Sequence, residues 1–297
     1  MLATGLYVVA IAAARADTIL WANDGRGSPG PTLDEWDLDV PAGSGTLINS
    51  FAAPDPAAQG GGPGGIAILG STIYYGVANS GSIFLTNPSG ANLGVAFSTG
   101  LPGISAITSD GTYLYLAATG NSTVTENVYQ YTLSGTLVNT LTLVPTAISG
   151  PFTDGRAGLE IVGGNFVANQ GNDEGPYNQF SSNGQLLTTE FLAPTDDFGF
   201  SGVAFDGTDY FAGNVEDVPS TFWVFDASGA FLKQLTLTGC PGPNQLCLFE
   251  DLAVERVSEP ASLAMLAVFL AGFALLRRAG RPSHGSEQIE LIPRLRR

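Results

Sequence analysis

Two cysteines, one histidine and a scatter of carboxylates are the residues of this chain equipped for chemistry. Cys240 and Cys247, in the stretch GCPGPNQLCLFED, are the only cysteines. No histidine or third cysteine stands near them to complete a zinc set, and in an oxidising compartment the pair would read as a disulfide closing a small loop. The single histidine, His284, lies close to the C-terminus. The 283 residues before it therefore hold no imidazole for a Ser-His-Asp triad or a His-ligated metal. Catalysis there would have to run on carboxylates, tyrosines or an oxygen-ligated cation.

Four acidic residues adjoin short apolar runs: Glu160 in AGLEIV, Asp206 in VAFDG, and Glu250-Asp251 in FEDLAV. Two such groups about 5–10 Å apart across a funnel would suit glycoside hydrolysis. Asp110 and Asp206 each open an Asp-Gly-Thr triplet, in which a short acid commonly bonds its own backbone in a turn. The other chemistry is cation binding, since calcium gathers oxygen ligands from loops. Asn172-Asp173-Glu174, Asp196-Asp197 and Glu216-Asp217 set acids side by side between apolar runs. Of these, Asp173, Glu174, Asp196 and Asp197 are the candidate Ca²⁺ ligands, although none lies in an EF-hand loop or a Gly-Gly-x-Gly-x-Asp repeat. The stretch QGGGPGG (59–65) lacks the lysine and following helix of a phosphate-binding loop and reads as a connector.

Charge narrows the partners. Between Asp17 and Val257 there are 24 Asp and Glu against four Lys and Arg, whereas from Ser258 onward six arginines face three glutamates. A body this acidic repels nucleic-acid phosphates, which require Lys and Arg. The composition, with 39 glycines and abundant Thr, Val, Leu, Phe and Tyr, is that of a β-rich chain.

The elements that must position these residues repeat. A Ser/Asn-Gly step followed by Leu or Phe recurs at Ser44-Gly45, Ser89-Gly90, Ser134-Gly135, Asn183-Gly184 and Ser228-Gly229, spaced by 45, 45, 49 and 45 residues. Glycine accepts the positive φ of a tight hairpin, and alternating runs such as NVYQYTL and LVNTLTLV flank each step with the period of half-buried strands. Each unit opens with a second strand pair, for example GIAILGSTIYYGVAN. Four strands per unit of about 45 residues predict the blades of a β-propeller. EDLAVE (250–255) supplies the inner strand of a last blade whose other strands, TILWAND, TLDEWDLD and GTLINSF, stand at the front of the body. The expectation is therefore an all-β, five-bladed β-propeller over residues 17–257, closed by the strands at its two ends. Trp21, Trp36 and Trp223 fall on alternating strands and are expected in the core. The hairpin at Asp226-Ala227-Ser228-Gly229 resembles the turn of secreted bacterial NHL- and gluconolactonase-like propellers, a likeness of architecture and not of activity.

The two ends read as addresses. Residues 1–16 form an apolar stretch ending Ala14-Arg15-Ala16, a small-x-small signal-peptidase site that makes Asp17 the mature start. No Lys or Arg precedes the apolar run. Near the other end, residues 261–276 carry no charge, a helix of about 24 Å. Arg277, Arg278 and Arg281 follow and would hold that end in the cytoplasm. Ser258-Glu259-Pro260, the apolar helix and Arg277-Arg278 together resemble the PEP-CTERM sorting segment, with the segment at 258–281 and a cytoplasmic basic tail at 282–297. Ser258 stands where that family's first proline usually lies, and the chain runs on beyond the basic cluster. The resemblance implies an exosortase-type processing enzyme as a partner. It also implies anchoring in the inner membrane before processing, residence on the cell surface or outside the cell afterwards, and a connection with exopolysaccharide.

The sequence thus predicts an exported, surface-sorted propeller that acts as a non-catalytic binding or structural protein of the envelope or exopolysaccharide matrix, with a polysaccharide or envelope protein as partner. The alternative is a calcium-assisted, carboxylate-based hydrolase of glycosides or lactones.

Overall fold

The computed structural model describes residues 18–25, 31–55, 57–59, 61–62, 64–119, 126–143, 158–169, 176–193, 200–214, 221–240 and 247–255. The signal residues Ala14 and Ala16 lie outside these. So do the sorting residues Ser258, Glu259, Pro260, Arg277 and Arg278, the span 261–276, and the acids Asp173, Glu174, Asp196 and Asp197. No helix among the described residues is long and apolar enough to cross a membrane.

The described body is all-β and propeller-like. Three antiparallel four-stranded sheets follow one another along the chain. The first comprises β4 (Ile66–Leu69), β5 (Thr72–Val77), β6 (Ser80–Thr86) and β7 (Asn92–Ser98). The second comprises β8 (Ile104–Ser109), β9 (Tyr113–Ala118), β10 (Glu126–Thr132) and β11 (Leu137–Leu143). The third comprises β12 (Leu159–Val162), β13 (Asn165–Asn169), β14 (Tyr177–Phe180) and β15 (Leu186–Leu192). An eight-stranded sheet joins two further meanders. One is β16 (Phe200–Phe205), β17 (Asp209–Asn214), β18 (Thr221–Asp226) and β19 (Phe231–Thr238). The other is β3 (Ser44–Ala52), β2 (Thr32–Asp39), β1 (Thr18–Asp24) and β20 (Phe249–Val254).

The closure expected from the sequence is present. β1 pairs antiparallel with β20, with Leu20 opposite Val254, Trp21 opposite Ala253 and Ala22 opposite Leu252. The first strands of the meanders, β4, β8, β12 and β16, and the last strand β20 contact one another in a ring that returns from β16 to β20. Closure leaves no inner sheet edge open to pairing with other chains. The Cys240–Cys247 disulfide forms in the segment leading into β20, and both sulfur-bearing residues are buried. Closing a loop of this size stabilises by about 2 kcal/mol through loop entropy. Trp21, Trp36 and Trp223 are buried, as their alternation predicts. Trp36 meets Phe222 and Phe249 edge-on, which ties β2 to β18 and β20.

Three details depart from the sequence reading. In the first repeat the turn glycine is Gly43, with φ 77°, and not Gly45. Gly45 lies inside β3, where a Cβ would sit 2.6 Å from Leu237 of β19. That close approach accommodates the second departure, a parallel pairing of Thr236–Thr238 with Ser44–Thr46 that fuses two meanders into one sheet. The fourth strands also bury less than their alternation suggests. β11 and β15 are exposed along most of their length, with Leu143 and Leu192 buried at their ends. An outermost strand has a neighbour on one side only, so its apolar residues need not meet a core.

Candidate functional site

The carboxylates expected on inner strands divide into two environments. Asp251 on β20 is fully buried; one of its oxygens accepts the backbone N–H of both Ile66 and Ile107, each at 2.9 Å. Burial drives its carboxyl well above the ordinary range, the charge of Glu160 adds to this, and the two backbone donors oppose it. Glu160 on β12 is also buried, and its Oε1 accepts from the Thr108 hydroxyl and the Ile161 N–H at 3.3 and 3.1 Å. Glu160 lines a central cavity of only about 30 Å³ together with Ile66, Ile107, Thr108, Phe205 and Leu252. That is room for about one water. The axis is packed, and no sugar ring fits in this cavity.

Asp206 and Asp110 occupy the turns that follow inner strands, as the Asp-Gly-Thr triplets suggest. Asp206 Oδ1 accepts from Thr208 N and Asp209 N at 2.7 and 2.8 Å, and its Oδ2 accepts from the Thr18 hydroxyl at 3.1 Å. Asp110 Oδ1 takes Thr112 N and Tyr113 N, both at 2.8 Å, and its Oδ2 takes the Tyr115 hydroxyl at 2.8 Å. Partial burial pushes Asp110 up, but the donors from Tyr113, Thr112 and Tyr115 hold it below the usual carboxylate range. A group so held stays ionised and is unsuited to donate a proton to a glycosidic oxygen, which calls for a raised pKa.

Both turns border a cleft of about 580 Å³ between the β8–β11 and β12–β15 sheets. Its polar wall carries Asp110, Tyr115, Gln130, Asn139, Ser182 and Asp206, and its apolar floor includes Leu141, Ile161, Phe166 and Phe205. Gln130 Nε2 donates to the Tyr115 hydroxyl at 3.3 Å, which links one strand's amide to the phenol anchored on Asp110. Tyr115 meets Phe166 edge-on across the sheets, with ring centroids 5.4 Å apart. Amide, hydroxyl and carboxylate groups beside rings on a rigid concave surface are the equipment of a binding pocket. The sequence reading named the two aspartates but not Gln130, Asn139 or Ser182. They lie on β10, on β11 and in the turn after β14, and nothing in their local patterns distinguishes them from other strand and turn polar residues.

A second acidic pair was not foreseen. Asp24 at the end of β1 and Asp34 on β2 are both buried, and each offers an oxygen within 4.8 Å of the other and of the Cys247 sulfur. That sulfur is bonded to Cys240 and offers no thiolate. Two carboxylates alone fall short of the six to eight oxygens calcium takes. Burial, and after it the charge of Asp24, pushes Asp34 up to about 7, while a 2.6 Å bond from the Ser50 hydroxyl works the other way. The arrangement suits a carboxyl–carboxylate pair sharing a proton. It also anchors the closure, for Asp24 Oδ1 accepts Leu248 N at 3.2 Å just before β20.

No family model matches the sequence, and no curated protein matches it. Among solved structures the chain is similar to a protein of unknown function from Bacteroides caccae, at 10% identity and a TM-score of 0.48, covering 81% of this chain and 100% of that one. It is similar to a chain of a nidogen/laminin complex at 16% identity and a TM-score of 0.47, covering 80% of this chain and 97% of that one. It is also similar to glutaminyl cyclase of Myxococcus xanthus at 13% identity and a TM-score of 0.43, covering 59% of this chain and 70% of that one.

Proposed function

We propose that the protein is an exported, surface-sorted β-propeller of five blades that binds a glycan without transforming it, at the cell envelope or in its exopolysaccharide matrix. The fifth blade in this reading comes from counting the eight-stranded sheet as two, joined through β19 and β3. The single observation that carries the binding assignment is the off-axis cleft of about 580 Å³ beside a packed axis. Its side chains suit sugar hydroxyls, which are both donors and acceptors. Gln130 and Asn139 supply amides of both kinds, Ser182 and Tyr115 supply hydroxyls, and Asp110 and Asp206 supply acceptors. Phe166 and Phe205 give the floor an apolar surface for a ring face. Retention at the surface would follow from the Glu259-Pro260 motif, the apolar span 261–276 and Arg277-Arg278, with an exosortase-type enzyme as the processing partner.

The test is a glycan array probed with the full chain purified in mild detergent, followed by titration of the best ligand against Asn139→Leu and Ser182→Ala. These two residues sit at the exposed lip, so folding should be preserved. Binding weakened about tenfold or more by the pair, roughly 1.4 kcal/mol, is expected. Absence of binding to every glycan on the array, or affinity indifferent to both substitutions, would overturn the assignment.

A further inference from the structure

The large cleft has a neighbour. On the far side of the Ser109–Gly111 turn lies a second depression of about 300 Å³, lined by Ile68, Leu69, Gly70, Gly111 and Glu255. The narrow axial cavity shares lining residues with each of them. Phe205 borders both it and the large cleft, while Ile68 and Ser109 border both it and the smaller depression. Part of each lining lies at the C-terminal end of an inner strand: Leu69-Gly70 after β4, Ser109 at the end of β8, Val162-Gly163 after β12, Phe205-Asp206 after β16 and Glu255 after β20. Gln130, Asn139 and Ser182 extend the large cleft outward along β10, β11 and the turn after β14. Both clefts therefore reach one face, on either side of the Ser109–Gly111 turn, and together outline a groove. A groove of this form suits a chain better than a single small ring.

Its charge has one sign. Asp110, Glu160, Asp206 and Glu255 lie along it, and no Lys or Arg lines it among the described residues. The single lysine, Lys233, donates instead to the carbonyls of Val40 and Pro41 at 2.9 and 3.3 Å. Concave surfaces lined by one sign of charge focus their field. An acidic polysaccharide would meet repulsion along its length, whereas a strand bearing ammonium groups would meet attraction from both clefts.

Building on the glycan-binding assignment, we propose that the two clefts are subsites of one groove that holds an extended polysaccharide strand carrying free amino groups, of the class of partly de-N-acetylated hexosamine polymers. The large cleft holds one end of the strand, the strand passes over the Ser109–Gly111 turn, and Glu255 marks the far subsite.

Calorimetric titration of the full chain in mild detergent would compare chitosan trimer, chitosan hexamer, the fully acetylated hexamer and an alginate hexamer, at low and high salt. The chitosan hexamer should bind about tenfold more tightly than the trimer, because the second subsite is engaged intramolecularly. It should lose part of that advantage at high salt, exceed the acetylated hexamer in affinity, and leave alginate unbound. Glu255→Lys should bring the hexamer down to the trimer's affinity and leave the trimer unchanged, with an unaltered melting curve as the folding control. Equal binding of chitosan and acetylated hexamers, equal binding of trimer and hexamer, or indifference to Glu255→Lys would overturn this inference while leaving glycan binding intact. Failure of every glycan would remove both.

Discussion

Asp251 accepts the backbone N–H of Ile107 at 2.9 Å across 144 residues of chain. The same oxygen takes Ile66 N, so a single carboxylate on the closing strand β20 holds the first strands of two successive sheets. Replacing it with leucine would strand two buried amide donors, each costing about 1–3 kcal/mol. Asp251→Leu is expected to lose about 3–5 kcal/mol in urea unfolding. Asp251→Asn keeps an acceptor oxygen for the two amides and is neutral without taking up a proton, so it should retain most of the stability. A leucine variant within about 1 kcal/mol of the parent, less than one stranded donor should cost, would show that the contact does not hold the ring.

Stability should fall as pH rises through neutrality. Asp34 is raised from 3.8 to about 7 by burial and then by Asp24. The folded state therefore binds more protons than the unfolded state between those values. The stabilisation from that proton is complete below 3.8 and is lost as pH climbs through 7. Asp251, also raised by burial, acts in the same direction. Unfolding free energy should consequently increase on going from pH 8 to pH 5, by up to about 1.4 kcal/mol per pH unit for one proton, and the melting temperature should rise with it. Asp34→Asn should flatten the slope. A melting temperature that declines over this range would contradict the assignment.

The hairpin glycines should differ sharply in their tolerance of a methyl group. Gly135 has φ 88°, and a Cβ there would run into Phe97 on the outer strand of the preceding sheet. Gly111 has a similar φ of 89° but open space around the same position. Gly111→Ala then reports backbone strain alone, about 1–3 kcal/mol. Gly135→Ala adds overpacking of a further 1–3 kcal/mol or so. Differential scanning calorimetry of the two variants separates these contributions, and equal destabilisation would mean that the sheet-to-sheet contact yields freely.

The repeat was legible because local chemistry writes it. A tight hairpin requires a residue that accepts positive φ, and Gly90, Gly135, Gly184 and Gly229 all adopt it. The first copy misled for the same reason. Gly43 and Gly45 stand two residues apart, both next to plausible turn residues, and only the pairing of β3 with β19 distinguishes them. The Asp-Gly-Thr turns at Asp110 and Asp206 were equally readable, since their hydrogen bonds reach only two or three residues along the chain.

By itself the sequence determined the all-β class, the period of the strands, the partnering of the strands at the body's two ends and the disulfide, because each depends on residue type and spacing within a short window. Tertiary structure alone decided that the axis is packed, that Gln130, Asn139 and Ser182 meet Asp110 and Asp206 around one cleft, and that Asp24 confronts Asp34 in the interior. Those relationships arise where separate sheets meet, and the spacing of residues along one strand does not encode which side chain its neighbour will present.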